Sequence, residues 1–119
     1  MMTHVMIVES HAPTRRTLSS TLAEAGFGVS TASDVVRARQ LAEVAPPEIA
    51  LVDVPRDGGI ELVRALKRRF GRAIYVAAMT KDDDIDVRAA CLAAGADMLF
   101  VKPIAVGELR KQLVAATRA

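Results

Sequence analysis

Residues 49–53 read Ile49-Ala50-Leu51-Val52-Asp53, four apolar side chains in succession and then a carboxylate. A strand with one wet face alternates apolar and polar residues, whereas an unbroken apolar run of strand length suits a strand covered on both faces. Ending that strand on Asp53 puts a charge where the chain leaves the core, and Pro55-Arg56-Asp57-Gly58-Gly59 turns it at once. The same pattern recurs on either side. Upstream, His4 to Val8 (HVMIV) is a strand followed by Glu9-Ser10, and Gly28 to Ala32 (GVSTA) is a second. Downstream, Ala73 to Ala78 (AIYVAA) and Met98 to Val101 (MLFV) are the fourth and fifth.

Between these strands the apolar spacing lengthens to the helical period. Leu18, Leu22 and Ala25 share one face of a helix over 14–25, with Pro13 in its first turn and Gly26 at its end. Ser33 or Asp34 caps a second helix with Ala38, Leu41, Ala42 and Ala45 inward, stopped by Pro46-Pro47. A third, from Ile60 to Phe70, buries Leu62, Val63, Leu66 and Phe70. The fourth opens at Lys81-Asp82-Asp83-Asp84, where the helix dipole favours negative charge, and ends before Gly95. Val106, Leu109, Leu113 and Ala116 mark the last. Strict alternation of five strands and five helices predicts an α/β fold: a doubly wound, five-stranded parallel sheet with helices on both faces.

At 119 residues, 51% hydrophobic and 25% charged, the chain suits one folded domain over residues 1–119. Its only rings are Phe27, Phe70, Phe100 and Tyr75, too few for an aromatic cofactor slot or a base-stacking platform. The single Cys91 excludes an intrachain disulfide and a cysteine zinc cage. The longest apolar run, Ala73 to Met79, is far short of the roughly 20 residues that span a bilayer. No secretory signal is legible at the N-terminus. A formal charge of +2 does not by itself call for a polyanion. A soluble cytoplasmic protein, without membrane contact, is the expectation.

In an open parallel sheet, functional groups gather at the carboxyl ends of the strands. Those ends carry Glu9 and Ser10, Asp53, Thr80 and Lys102. With strand order 2-1-3-4-5, Glu9 faces Asp53 across neighbouring strands, while Thr80 and Lys102 approach from the other side. Carboxylates suit a hard divalent cation, and a hydroxyl and an ammonium suit phosphoryl oxygens.

At these residues the chain resembles the receiver domain of two-component response regulators, the CheY-like variant of the flavodoxin-like fold. The likeness runs over nearly the whole chain, through VMIVES, IALVD, GGIEL, Thr80, Gly95-Ala96-Asp97 and Lys102-Pro103. It implies that Asp53 accepts a phosphoryl group from a histidine kinase or phosphotransfer protein. It also implies that Thr80 binds a phosphoryl oxygen, that Lys102 pairs with Asp53 before a cis Lys102–Pro103 bond, and that Glu9, Ser10, Asp53 and the Pro55 carbonyl surround Mg²⁺. A homodimer through the fourth helix, fifth strand and fifth helix is a further implication. Nucleic acid enters only through an output domain outside this chain.

Three positions depart from the family pattern. Ser10 stands where a second acid is usual, which weakens or abolishes Mg²⁺ binding. The turn after Asp53 is about two residues short, and Leu99 replaces the aromatic residue three before the lysine. These departures define the alternative, a degenerate receiver acting as a phosphorylation-independent interaction module. Elsewhere the plainer readings stand: His4 as structural, His11 as an exposed loop residue, Cys91 as a packed thiol; for Thr80, capping the fourth helix is compatible with a phosphate contact. Arg64, Lys67, Arg68, Arg69 and Arg72 read as a solvated basic face.

Overall fold

A computed structural model describes residues 2–54 and 58–117. Five parallel strands, β1 (His4–Val8), β2 (Gly28–Ala32), β3 (Ile49–Asp53), β4 (Tyr75–Thr80) and β5 (Met98–Val101), lie in the order β2-β1-β3-β4-β5. The helices are α1 (Ala12–Glu24), α2 (Val35–Val44), α3 (Gly59–Phe70), α4 (Ile85–Ala94) and α5 (Val106–Thr117). This is the doubly wound order expected from the sequence. Among the described residues, no helix is long and apolar enough to cross a membrane.

Each strand feeds two cores because successive side chains point to opposite faces. Val5, Ile7, Ile49, Leu51, Ala77 and Met79 pack with Leu18 and Leu22 of α1 and Leu109 and Leu113 of α5. Met6, Val8, Ala50, Val52, Val76 and Ala78 pack with α2, α3 and α4 through Ala38, Ala42, Leu62, Val63, Leu66, Cys91 and Ala94. The alternation decides where the polar strand ends aim. Glu9 and Asp53 continue the odd-numbered rows of β1 and β3 toward α1 and α5. Thr80 continues the row of Val76 and Ala78 toward the other face.

Several boundaries differ from the sequence expectation, each for a local reason. Helix α1 starts at Ala12, two residues early, because His11 caps it by accepting from the Thr14 amide. Strand β4 is displaced to Tyr75–Thr80 because Gly71–Ala73 form a 3₁₀ turn. Helix α4 begins at Ile85 rather than Lys81, since the Asp84 carboxylate accepts from the Asp86 and Val87 amides. Asp84, not Thr80, is therefore its cap. Ala45 lies beyond the end of α2 and is exposed rather than inward-facing. Strand β5 is half-buried throughout, as befits a sheet edge.

Two devices hold the sheet, one at the amino ends of β4 and β5 and one at the carboxyl end of β3. Asp97 accepts from the Val76 amide at 2.8 Å and from Lys67 Nζ at 3.0 Å, while Lys67 also donates to the Ile74 carbonyl at 2.9 Å. That bond set ties α3 to β4 and the approach to β5. At the other point, α3 starts against the end of β3. A Cβ on Gly59 would stand 2.6 Å from the Asp53 carbonyl oxygen and 2.9 Å from Val54 Cγ1. Replacing Gly59 by Ala is therefore expected to cost about 1–3 kcal/mol through overpacking, read as a lower urea midpoint. An unchanged midpoint would show that the helix can retreat without cost.

Candidate functional site

The carboxyl ends of β1, β3 and β5 bring Glu9, Asp53 and Lys102 together. The Lys102 ammonium donates to Glu9 Oε1 and lies 2.9 Å from Asp53 Oδ1. Glu9 is 1% exposed, Asp53 8%, and the Lys102 side chain 14%. Two carboxylates and one ammonium thus share a nearly dry site, where charge–charge energies are far larger than in water. The Lys102–Pro103 bond is cis, as the resemblance implies.

The loop after β1 supports this cluster from below. The His11 amide donates to Glu9 Oε2 at 3.2 Å. Arg15 reaches back from α1 to the carbonyls of Glu9, at 2.9 Å, and Ser10, at 3.4 Å. Arg15 was not legible as a site residue, because nothing in its sequence neighbourhood shows that a guanidinium will bridge two backbone oxygens. His11 is more than an exposed loop residue: its Nδ1 lies 2.7 Å from Thr14 Oγ1 and accepts from the Thr14 amide.

These contacts set the acidities. Burial pushes the Glu9 carboxyl up, but Lys102 and the His11 amide outweigh it and leave Glu9 below the ordinary carboxylate value. Burial, reinforced by the negative Glu9 beside it, holds Asp53 above its ordinary value despite Lys102. Burial alone would lower Lys102, yet hydrogen bonds and charge from both carboxylates hold it above the usual lysine value. The two acids are therefore unequal: Glu9 is the firm anion, and Asp53 carries the strain of a second negative charge.

A cleft of about 1170 Å³ opens over the cluster. Glu9, Ser10, His11, Asp53, Lys81, Asp82 and Lys102 line its polar end, and it runs on between α1 and α5 past Thr17, Leu18, Ile104 and Val106. Thr80 is fully buried behind it. The Thr80 hydroxyl accepts from the Asp82 amide at 3.0 Å and donates to the Asp82 carbonyl at 3.3 Å. Sequence position thus places Thr80 near the cluster, while strand alternation turns its side chain aside. Pro55 and Asp57 lie outside the described residues.

As a site for Mg²⁺, the donor set fits in a reduced form. Among the described residues, no group of three His, Cys, Asp or Glu side chains is placed to hold a metal. Mg²⁺ nevertheless asks for only one or two carboxylates, with waters and phosphate oxygens completing its shell. Glu9 and Asp53 meet that need, and the exposed Ser10 adds at most a neutral hydroxyl.

Comparison with known proteins agrees with this geometry. Residues 5–114 match the family model described as the response regulator receiver domain. Over 99% of its length the chain is 32% identical to response regulator MprA of Mycobacterium sp. (strain KMS), covering 52% of that protein. Over 98% it is 33% identical to the KDP operon transcriptional regulatory protein KdpE of Escherichia coli (strain K12), again covering 52%. The chain spans about half the length of the curated relatives it matches. Among solved structures, the Vibrio cholerae chemotaxis protein CheY4 superposes with a TM-score of 0.88 at 28% identity, over 97% of this chain and 98% of that one. A response regulator from Thermotoga maritima gives 0.91 at 22% identity with both chains fully covered, a likeness of fold.

The buried cluster makes a stability prediction at neutral pH. Lys102→Met leaves two carboxylates without their shared cation and is expected to cost about 3–5 kcal/mol. Asp53→Asn removes the anion whose ionisation burial and Glu9 oppose, so its thermal midpoint should equal or exceed that of the wild type. Acidification acts oppositely on the two acids. Glu9, with a lowered pKa, stabilises the fold above the ordinary carboxylate range and loses that contribution as pH falls; Asp53, with a raised pKa, costs stability as pH rises through it. Circular-dichroism melts of both variants check this, and a Lys102→Met protein as stable as wild type would contradict it.

Proposed function

This chain belongs to the response regulator receiver domain family of two-component signalling, and from that premise we propose that Asp53 is its phosphoacceptor. The observation carrying this reading is the shared Lys102 ammonium, which holds Asp53 at the mouth of an open cleft beside a second, more firmly ionised carboxylate. We take residues 1–119 as one receiver unit in the cytoplasm, a signalling domain that accepts a group rather than an enzyme that turns over a substrate.

In the proposed transfer, an Asp53 carboxylate oxygen attacks the phosphorus of a phosphohistidine on a histidine kinase or phosphotransfer protein. The new O–P bond forms as the N–P bond breaks, and the imidazole leaves with the electron pair and takes up a proton. Lys102 neutralises charge on the acceptor and then on the phosphoryl oxygens. Glu9 keeps Lys102 aimed at Asp53, and Arg15 and the His11 amide keep Glu9 in place. A divalent cation such as Mg²⁺ would be held by Glu9 and Asp53, with Ser10 and the Pro55 carbonyl as the further ligands that the family resemblance implies, and would supply further positive charge to those oxygens. The apolar run of the cleft past Thr17, Leu18, Ile104 and Val106 offers the donor protein a surface next to the acceptor.

Thr80 takes part only after its hydroxyl leaves Asp82, so phosphoryl binding by Thr80 pulls on the loop ahead of α4. With Leu99 in place of an aromatic residue, that loop is the proposed carrier of the signal. The α4–β5–α5 face, with exposed Ile85 and Leu92 and a half-buried β5, is where a partner or a second copy reads it. Nucleic acid is engaged only by an output domain of a longer protein.

Intact-mass spectrometry after acetyl phosphate treatment tests the reading. One added phosphoryl group, promoted by Mg²⁺ and lost in Asp53→Ala, is expected. No gain under any divalent metal would sink the proposal and leave an interaction module. Ser10→Asp should tighten Mg²⁺ binding several-fold in calorimetry by restoring a carboxylate; equal affinity would remove Ser10 from the metal's surroundings.

A further inference from the structure

Away from the cleft, positive charge collects between two helices. Arg39 of α2 and Arg64, Arg68 and Arg69 of α3 line a groove of about 490 Å³, with Glu61 and Ala65 completing its walls. Arg69 pairs with Glu43 at 3.4 Å and lies 5.2 Å from the Phe70 ring centre. Among the described residues, no carboxylate pairs with Arg39, Arg64 or Arg68. Crowded like charges repel, and guanidinium forks suit carboxylates in pairs of hydrogen bonds. Arg69 already takes one carboxylate on this surface.

The complementary charge stands on the same chain. Asp82, Asp83, Asp84 and Asp86 open α4. Asp84 caps the helix and Asp83 binds Arg88 at 2.5 Å. Among the described residues, the Asp82 and Asp86 side chains have no ion-pair partner. Apolar exposure follows the same two helices. Val36 and Val44 on α2 are 64% and 85% exposed, and Ile85 and Leu92 on α4 are 80% and 61% exposed; Met2 is the only other large apolar side chain so exposed among the described residues. Charge beside exposed apolar area is the makeup of an interface rim and core.

We infer that two copies of this chain associate head to tail, the α2–α3 arginine groove of one receiving the Asp82 and Asp86 carboxylates at the start of α4 in the next. Val36 on the first copy then meets Ile85 on the second. Made once between each pair of copies, the contact is heterologous and leaves one of each surface unused at the ends of any chain of copies, so growth beyond a dimer separates it from a reciprocal two-fold pairing. It needs no phosphoryl group; because Asp82 also lines the cleft over Asp53, the contact is read on the unphosphorylated protein, apart from any phosphoryl transfer.

Sedimentation velocity on the unphosphorylated protein decides it. Wild type should gain mass with concentration at low NaCl and return to monomer at high NaCl, where exposed charges are screened. R64E/R68E and D82K/D86K should each remain monomeric. Their equimolar mixture should associate where neither variant does alone, because the native groove–acid pair and its charge-swapped counterpart then both match; a mixture of the neutral variants R64Q/R68Q and D82N/D86N, which keeps only the native pair, should stop at a dimer. Should R64E/R68E fail to fold by circular dichroism, R64Q/R68Q replaces it with the same expectation. Monomeric wild type at low salt, a mixture that stays monomeric, or self-association surviving in R64E/R68E would overturn the inference; the last outcome signifies a symmetric contact through α4. A labelled oligonucleotide held by monomeric wild type would overturn it too, assigning the arginines to nucleic acid.

Discussion

One ammonium between two buried carboxylates is the constraint on which the working end of this molecule depends. Lys102 touches Glu9 and Asp53 at once, and neither acid could stay ionised at its depth without that cation. The arrangement carries a net negative charge in a region with little water to screen it. Its burden falls unequally: the His11 amide helps Glu9, whereas Glu9 itself burdens Asp53. A carboxylate raised in energy and facing a cleft is a group ready to form a bond with an electrophile. The same asymmetry suits the arrival of added positive charge, which lowers the cost of the second anion.

The sheet makes the triplet possible by register. Strands β1 and β3 are hydrogen-bonded neighbours, with Val8 level with Val52, so Glu9 and Asp53 leave the sheet one step later at the same height. Strand β5 is two places from β3, and Lys102 crosses that gap with its four-carbon stem. A Cβ on Gly59 would press on the Asp53 carbonyl. Packing therefore fixes where the charges sit before electrostatics decides how they behave.

Much of this was legible in the sequence, and what was not has definite causes. Unbroken apolar runs such as Ile49 to Val52 declare a two-faced sheet, and the polar residue after each run declares the site. Boundaries failed where a local cap competed with a periodic pattern. Lys81 to Asp84 has the charge of a helix start, but Asp84 alone has its carboxylate on amides of the next turn. Thr80 ends β4 and does not cap α4, and its side chain turns aside because the direction of a strand's last side chain depends on parity counted from the core. Arg15 escaped altogether. A long side chain folding back onto carbonyls five and six residues upstream leaves no mark in composition or period.

Charge in this protein is handled in two opposite ways, and the contrast separates internal needs from external ones. Inside, charged atoms have partners: Lys102 has two carboxylates, Lys67 has Asp97 and a carbonyl, and among the described residues no buried side-chain polar atom lacks a hydrogen bond. That economy is forced, since an unpaired buried charge costs several kcal/mol, on the order of a small domain's whole stability. Outside, Arg39, Arg64 and Arg68 stand together with no ion-pair partner among the described residues, and water makes this tolerable without making it favourable. Arg39 and Arg68 are exposed and Arg64 is half-buried, so none of the three belongs to either core. The association inferred above gives them a role, since forked donors on two adjacent helices suit a carboxylate-bearing surface.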